Sequence, residues 1–240
     1  MNSEALFRAG RLNEAVQALA GELRDAPTDV KRRTFLFELL CFAGEYDRAQ
    51  KHLDVLAASG KDAAMGALVY HAALHAERTR QEMFLKGAYP LSGPPGEETP
   101  VSGTLNGQPF EEISDADPRI GARLEVFAAG TYLWIPWNEI ASVEIPPPKR
   151  LRDLLWTPAL VRTGSHFRGV ELGEVLVPSL CPLTYRHADD NVRLGRMTVW
   201  EETPDGEGIP FGQKMLLVDG EEIPLLEVRK LEINQPESAS

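Results

Sequence analysis

Helical periodicity fills the first third of the chain and then stops. Between Asn13 and Leu23 the apolar residues Ala15, Val16, Leu19, Ala20 and Leu23 recur at the spacing of one helix face. Gly10–Arg11 separates this helix from a shorter one, so residues 2–25 read as a helix pair. The break Asp25-Ala26-Pro27-Thr28 ends it, and Asp29 is placed to cap the next helix. That helix carries Phe35, Leu36, Leu39, Leu40 and Phe42. Gly44–Glu45 turns the chain, residues 46–58 form another helix, and Ser59–Gly60 stops it. Residues 63–86 extend the pattern with Leu68, Tyr70, Leu74, Met83 and Phe84.

These helices repeat. Gly10 aligns with Gly44, Leu12 with Tyr46, Ala15 with Ala49 and Leu19 with Leu53, each pair 34 residues apart. That is the period of the tetratricopeptide (TPR) repeat, a helix hairpin that stacks on its neighbours. The glycine turns the chain and the small alanine lets two helices approach. Arg33 and Phe37 depart from the repeat's usual residue sizes, so "TPR-like" is the apt description. The segment 63–86 reads as the first helix of a third unit or as a capping helix. A solenoid this short is expected to lean on the rest of the chain.

After residue 86 the texture changes. Residues 90–100, PLSGPPGEETP, hold four prolines and two glycines and cannot continue a helix. From Val101 short strand signals alternate with turns. Asn106–Gly107 marks one hairpin. Residues 124–127 and 132–135 flank Ala128-Ala129-Gly130 and Thr131 in a second, and Asp219–Gly220 marks a third between 215–218 and 222–228. Residues 139–145, 170–177 and 192–201 are further strand candidates, and 150–156 reads as a short helix after three prolines. Residues 235–240 form a polar tail. The expected fold class is α+β and multidomain: a TPR-like helical domain over 1–86, a linker over 87–100, and a mainly antiparallel β domain over 101–240.

Composition narrows the function. The apolar fraction of 43% suffices for a core. No run approaches the length of a membrane span, and the N-terminus has no secretory signature; a soluble cytoplasmic protein is expected. Two cysteines make no disulfide framework. The net charge of −11 arises after the helices: Lys+Arg and Asp+Glu balance at 12 each through Lys86, then stand at 13 and 24. This argues against nucleic acid or an anionic membrane as partner.

Candidate chemistry is sparse. His71 and His75 share a helix face at metal-ligand spacing, but Ala72 denies them the HExxH pattern and no third ligand is evident. Cys181, His187 and Asp189 could supply nucleophile, base and acid. A polar turn between strands explains His187, Asp189 and Asp190 more cheaply, and no glycine-rich elbow marks Cys181. No nucleotide-binding or hydrolase motif occurs, so no cofactor is expected. Trp134 reads as core; Trp137 and Trp156 read equally as core or as interface anchors.

The most concrete site is the concave face of the repeat, lined in this class by the first helix of each unit. The register places Arg8, Lys31, Thr34, Glu38, Cys41, Met65, Leu68 and His75 there. Such a surface suits an amphipathic helix or an extended peptide; alternatively the array is a structural cap on the β domain.

The segments SDADPRIGARLEVF, YLWIPW, RLRDLLWTPA and GEVLVPSLCP, with the short repeat before them, resemble the ImpE family (also SciE or TagJ) of type VI secretion accessory proteins. The resemblance covers nearly the whole chain. It implies a non-enzymatic adaptor that binds the N-terminal helical segment of the small contractile-sheath subunit. It also implies a link to the AAA+ unfoldase ClpV, which recycles contracted sheaths. It transfers no binding motif, so the groove residues rest on the repeat register alone. The alternatives are an enzyme centred on Cys181, His187 and Asp189, and a structural subunit that only self-associates.

Overall fold

A computed structural model describes residues 1–89, 100–164, 167–203, 206 and 208–235. Most of the expected linker and nearly all of the polar tail lie outside the described residues.

The helices are α1 (Ser3–Arg8), α2 (Leu12–Asp25), α3 (Val30–Phe42), α4 (Tyr46–Ala57) and α5 (Lys61–Lys86). Asn2 caps α1 through the Ala5 N–H, and Asp29 caps α3 through the Arg32 N–H at 3.0 Å. Gly10 and Gly44 adopt φ of +72° and +74°, the left-handed turn that glycine enters without strain. The repeat seen in sequence is therefore a repeat in backbone geometry. α2 and α4 each bury one stripe. α3 differs: every residue from Leu36 to Phe42 is buried, the mark of a helix enclosed on all sides.

The strands are β1 (Gly103–Leu105), β2 (Gln108–Phe110), β3 (Ile113–Asp115), β4 (Arg123–Ala128), β5 (Thr131–Pro136), β6 (Ile140–Glu144), β7 (Trp156–Thr163) and β8 (Gly173–Pro178). After a short helix α6 (Asp190–Arg193) come β9 (Thr198–Glu202), β10 (Gly208–Gly212), β11 (Met215–Val218), β12 (Glu221–Pro224) and β13 (Lys230–Ile233). They form an eight-stranded antiparallel sheet in the order β2-β1-β13-β6-β7-β8-β4-β5, a three-stranded sheet β12-β11-β3, and a hairpin β9-β10. The turns at Asn106–Gly107, Ala129–Gly130 and Asp219–Gly220 all place two successive residues at positive φ, as a two-residue hairpin requires.

Strand alternation divides the large sheet into two faces. Leu124, Val126, Val143, Val161, Val175, Val177 and Leu231 share one core with Leu216 and Val218 of the small sheet. Phe127, Tyr132, Trp134 and Trp156 point the other way and merge with the helical core of Leu36, Phe37, Leu40, Leu74 and Phe84. Helices and sheet thus form continuous packing.

Three expected elements need correction. The strand expected over 222–228 ends at Pro224 and is followed by a 3-10 turn, Leu225–Glu227. The helix expected over 150–156 is a 3-10 turn, Leu151–Leu154, and Trp156 already begins β7, a strand hidden by its internal Pro158. The strand expected over 192–201 starts only at Thr198. Asp189 accepts from the Asn191 N–H at 2.7 Å, which caps α6, and Gly195 at φ +65° ends that segment. Trp137 and Trp156 are core residues, whereas Trp200 is 42% exposed.

Candidate partner interface

The inner face of the helical array is occupied by the chain itself. Glu38 is buried with its Oε1 2.9 Å from Arg152 Nη1. Burial raises the Glu38 carboxyl's pKa, and Arg152 opposes that shift. The Arg152 guanidinium also lies 4.7 Å from the Tyr70 ring centroid. Along α5 the same role falls to larger groups. Trp156 Nε1 donates to Glu77 Oε2 at 2.9 Å, and the Leu183 N–H donates to Gln81 Oε1 at 2.8 Å. Arg80 grips Glu125 with two parallel bonds of 2.7 and 2.9 Å and donates to the Leu180 carbonyl at 3.0 Å.

Behind Arg80, Lys214 bonds both Asp115 and Glu125, and Tyr132 donates its hydroxyl to Glu125. Burial works against the charge on Glu125, but Arg80 and Lys214 overcome it and hold the carboxyl well below its usual range. Among the described residues Asp115 pairs with Lys214, and burial pushes it up to about 6. Taking these charges out of water is expensive unless each is paired, so the network fixes one register between α5 and the sheet.

The turns of the repeat are read in the same way. The Leu12 N–H, at the open start of α2, donates to Asp190 Oδ2 at 2.7 Å. Arg196 donates to the carbonyls of Phe7 and Arg8 at the end of α1, at 2.6 and 3.1 Å. A Cβ added at Gly10 would lie 2.4 Å from Asn191 Oδ1, and one at Gly44 would lie 2.2 Å from Tyr185 Cδ2. The segment 185–196 therefore clamps both repeat turns.

The expected groove residues consequently do not share one surface. Glu38 and Cys41 are buried, because β-region side chains fill the face they line. Thr34 is half-buried and donates to the Val30 carbonyl at 2.9 Å. Arg8 and Lys31 are exposed and line a cleft of about 530 Å³ with Phe7, Phe35 and Leu151. Met65 and Leu68 are 69% and 62% exposed on α5, and His75 is exposed further along it. Sequence reasoning missed Val69, 51% exposed, which together with Tyr70, Pro158, Leu160 and Leu176 lines a larger trough of about 710 Å³. The spacing Met65, Leu68, Val69, Ala72 was the available signal on the helix; nothing local marked the strand residues.

The competing chemistry is not assembled. Cys181 is buried, its thiol pKa raised by burial, and its Sγ faces the Gln213 carbonyl at 3.5 Å. His187 Nδ1 accepts from the Asp189 N–H at 3.0 Å and its Nε2 lies 3.3 Å from Glu201, while Asp189 caps α6. Among the described residues no hydrogen bond joins Cys181 to His187. His71 sits 3.4 Å from Asp54, and the described residues include no group of three His, Cys, Asp or Glu side chains able to hold a metal. Among them, no helix is long and apolar enough to cross a membrane.

Fold and surface together define a TPR-like array locked to an antiparallel sheet, a scaffold with its inner face closed and apolar surface left outside. Residues 6–71 match the sequence model of the tetratricopeptide repeat, and residues 107–232 match that of the ImpE protein. The chain belongs to the ImpE family. It is 32% identical over 263 aligned residues to "Type VI secretion system accessory component TagJ" of Pseudomonas aeruginosa, covering 97% of this chain and 91% of the relative. The crystal structure of a Vibrio parahaemolyticus protein matches with a TM-score of 0.84 at 21% identity, covering 98% of both chains, and shows the same fold.

Proposed function

We propose that this chain is a non-enzymatic accessory adaptor of a type VI secretion system. It works in the cytoplasm, docks the N-terminal helix of the small contractile-sheath subunit, and thereby links the sheath to a ClpV-type AAA+ recycling enzyme. The observation that carries the reading is the likeness to TagJ along 97% of the chain. The exposed apolar residues of α5 support it, since Met65, Leu68 and Val69 offer anchors that a soluble monomer gains nothing by displaying. In this reading residues 1–86 carry the docking face and residues 101–240 form the body that holds it. Met65 and Leu68 act as apolar anchors. His75 supplies a polar contact further along α5, where charge at the rim sets selectivity more than affinity, while Arg8 and Lys31 line the separate cleft and Thr34 bonds within its own helix, outside this docking face.

The test is a fluorescence-anisotropy titration of the full chain with a labelled peptide from the N-terminal helix of the small sheath subunit of the same secretion cluster. Saturable binding in the range of roughly 1–100 μM, weakened at least tenfold by Leu68→Asp, is expected. A flat titration would refute the adaptor reading.

A further inference from the structure

The large sheet is covered unevenly. Trp156, Pro158 and Leu160 alternate onto one face of β7, yet Trp156 lies buried under the helices, Pro158 is exposed and Leu160 is half-buried. The helical layer therefore ends partway along a strand, and apolar floor continues beyond it. Val69 and Ala72 of α5 wall this trough, continuing the exposed stripe that begins at Met65. Across the floor, strand register sets Glu144 of β6 and Glu174 of β8 on either side of Leu160. With strands about 4.8 Å apart, the two carboxylates stand about 10 Å from each other. Both are exposed; among the described residues Glu174 makes no ion pair, while Glu144 stands opposite Lys230 of β13, whose ammonium bonds Glu232 at 2.8 Å and feels Glu144 only through its field. Arg229, the cation at this trough, donates to the Leu226 and Val228 carbonyls, each at 2.8 Å.

We propose that this trough docks an amphipathic helix that lies beside α5, sets its apolar face on Pro158, Leu160 and Leu176, and carries basic residues along the flank facing Glu144 and Glu174. A helix is the element that completes a half-finished helical layer on a sheet, and the two exposed carboxylates, Glu174 above all, select cationic flanks by complementarity. The inference rests on the adaptor reading above and extends its docking face from the exposed residues of α5 onto the neighbouring floor of the sheet.

The experiment uses the full chain at physiological salt with three labelled probes: the sheath-subunit peptide, a designed Leu/Lys amphipathic helix, and its Leu/Glu counterpart. The variants are Leu160→Asp and Glu144→Lys/Glu174→Lys in the trough, with Lys31→Glu in the distant cleft as control. Each variant is required to melt close to the wild type. The proposal expects the sheath peptide and the Leu/Lys helix to bind and the Leu/Glu helix not to. Leu160→Asp should lower affinity at least tenfold, the double charge reversal severalfold, and Lys31→Glu hardly at all. Sheath-peptide binding that survives the trough variants would overturn the placement and leave the adaptor reading intact. Trough-dependent binding of the Leu/Lys helix without sheath-peptide binding would support the site and overturn its assignment to the sheath. Binding of neither helix would overturn both.

Discussion

Replacing Arg80 with alanine should separate the helices from the sheet energetically. Arg80 is 1% exposed and makes two bonds to Glu125 and one to the Leu180 carbonyl. Removing one partner of a buried ion pair costs about 3–5 kcal/mol, because the remaining charge stays buried. Lys214 still contacts Glu125, which favours the lower end. The Leu180 carbonyl then loses a donor, adding about 1–2 kcal/mol. The total is about 4–5 kcal/mol, a large share of the roughly 5–15 kcal/mol that stabilises a folded protein. For a chain of this size each kcal/mol shifts Tm by about 2–4 °C, so a fall of about 8–20 °C is expected by calorimetry at pH 7. The double change Arg80→Met/Glu125→Met should recover part of the loss, since Glu125 is then no longer stranded, while buried Glu77 still loses its 3.4 Å contact with Arg80. A drop below about 3 °C for Arg80→Ala would refute the view that this network holds the two regions together.

Further outcomes follow from the same geometry. Gly44→Ala should destabilise by about 2 kcal/mol or more, from left-handed backbone strain and the Tyr185 clash; Tyr185→Ala should relieve part of it, read from denaturant midpoints. Glu38→Lys should lower Tm, since it sets a second cation against Arg152 in a buried site. Asp115→Asn should cost less at pH 7 than Glu125→Gln. The Asp115 pKa is raised from 3.8 in the unfolded chain to about 6 in the fold, so the folded state binds more protons in that window and stability falls as pH rises through it. The wild type should therefore gain on Asp115→Asn as pH drops from 6.5 to 4; an unchanged difference in Tm would contradict the shift. Cys41 and Cys181, both buried with raised thiol pKa values, should resist a thiol reagent until the protein unfolds.

The helical half was legible because its signals are local. Glycines 34 apart, a capping Asp29 and one apolar stripe per helix each declare themselves within a few residues. The three tight hairpins were legible for the same reason. β7 was not, because Pro158 and the run Leu154-Leu155-Trp156 mimic a helix end, and only pairing with β6 and β8 resolves the strand. The candidate site failed at a longer range. Glu38 stands in the repeat register where a partner would be met, but Arg152, 114 residues later, takes that place. Likewise Leu160, Glu144 and Glu174 gain meaning only once the sheet register brings them together. The acidic excess after Lys86 also reads differently in the fold: Glu125 and Asp115 are internal counter-charges, while Glu144 and Glu174 face outward.

The most direct test of the account is hydrogen exchange of the full chain with and without the sheath-subunit peptide. Slower exchange at residues 65–73, 158–161 and 174–177, with α3 and the 151–156 segment unchanged, would place the partner beside α5 on a scaffold whose inner face stays closed. Faster exchange at 151–156 with new protection along α3 would mean that the partner displaces the sheet region from the repeat, and would contradict it.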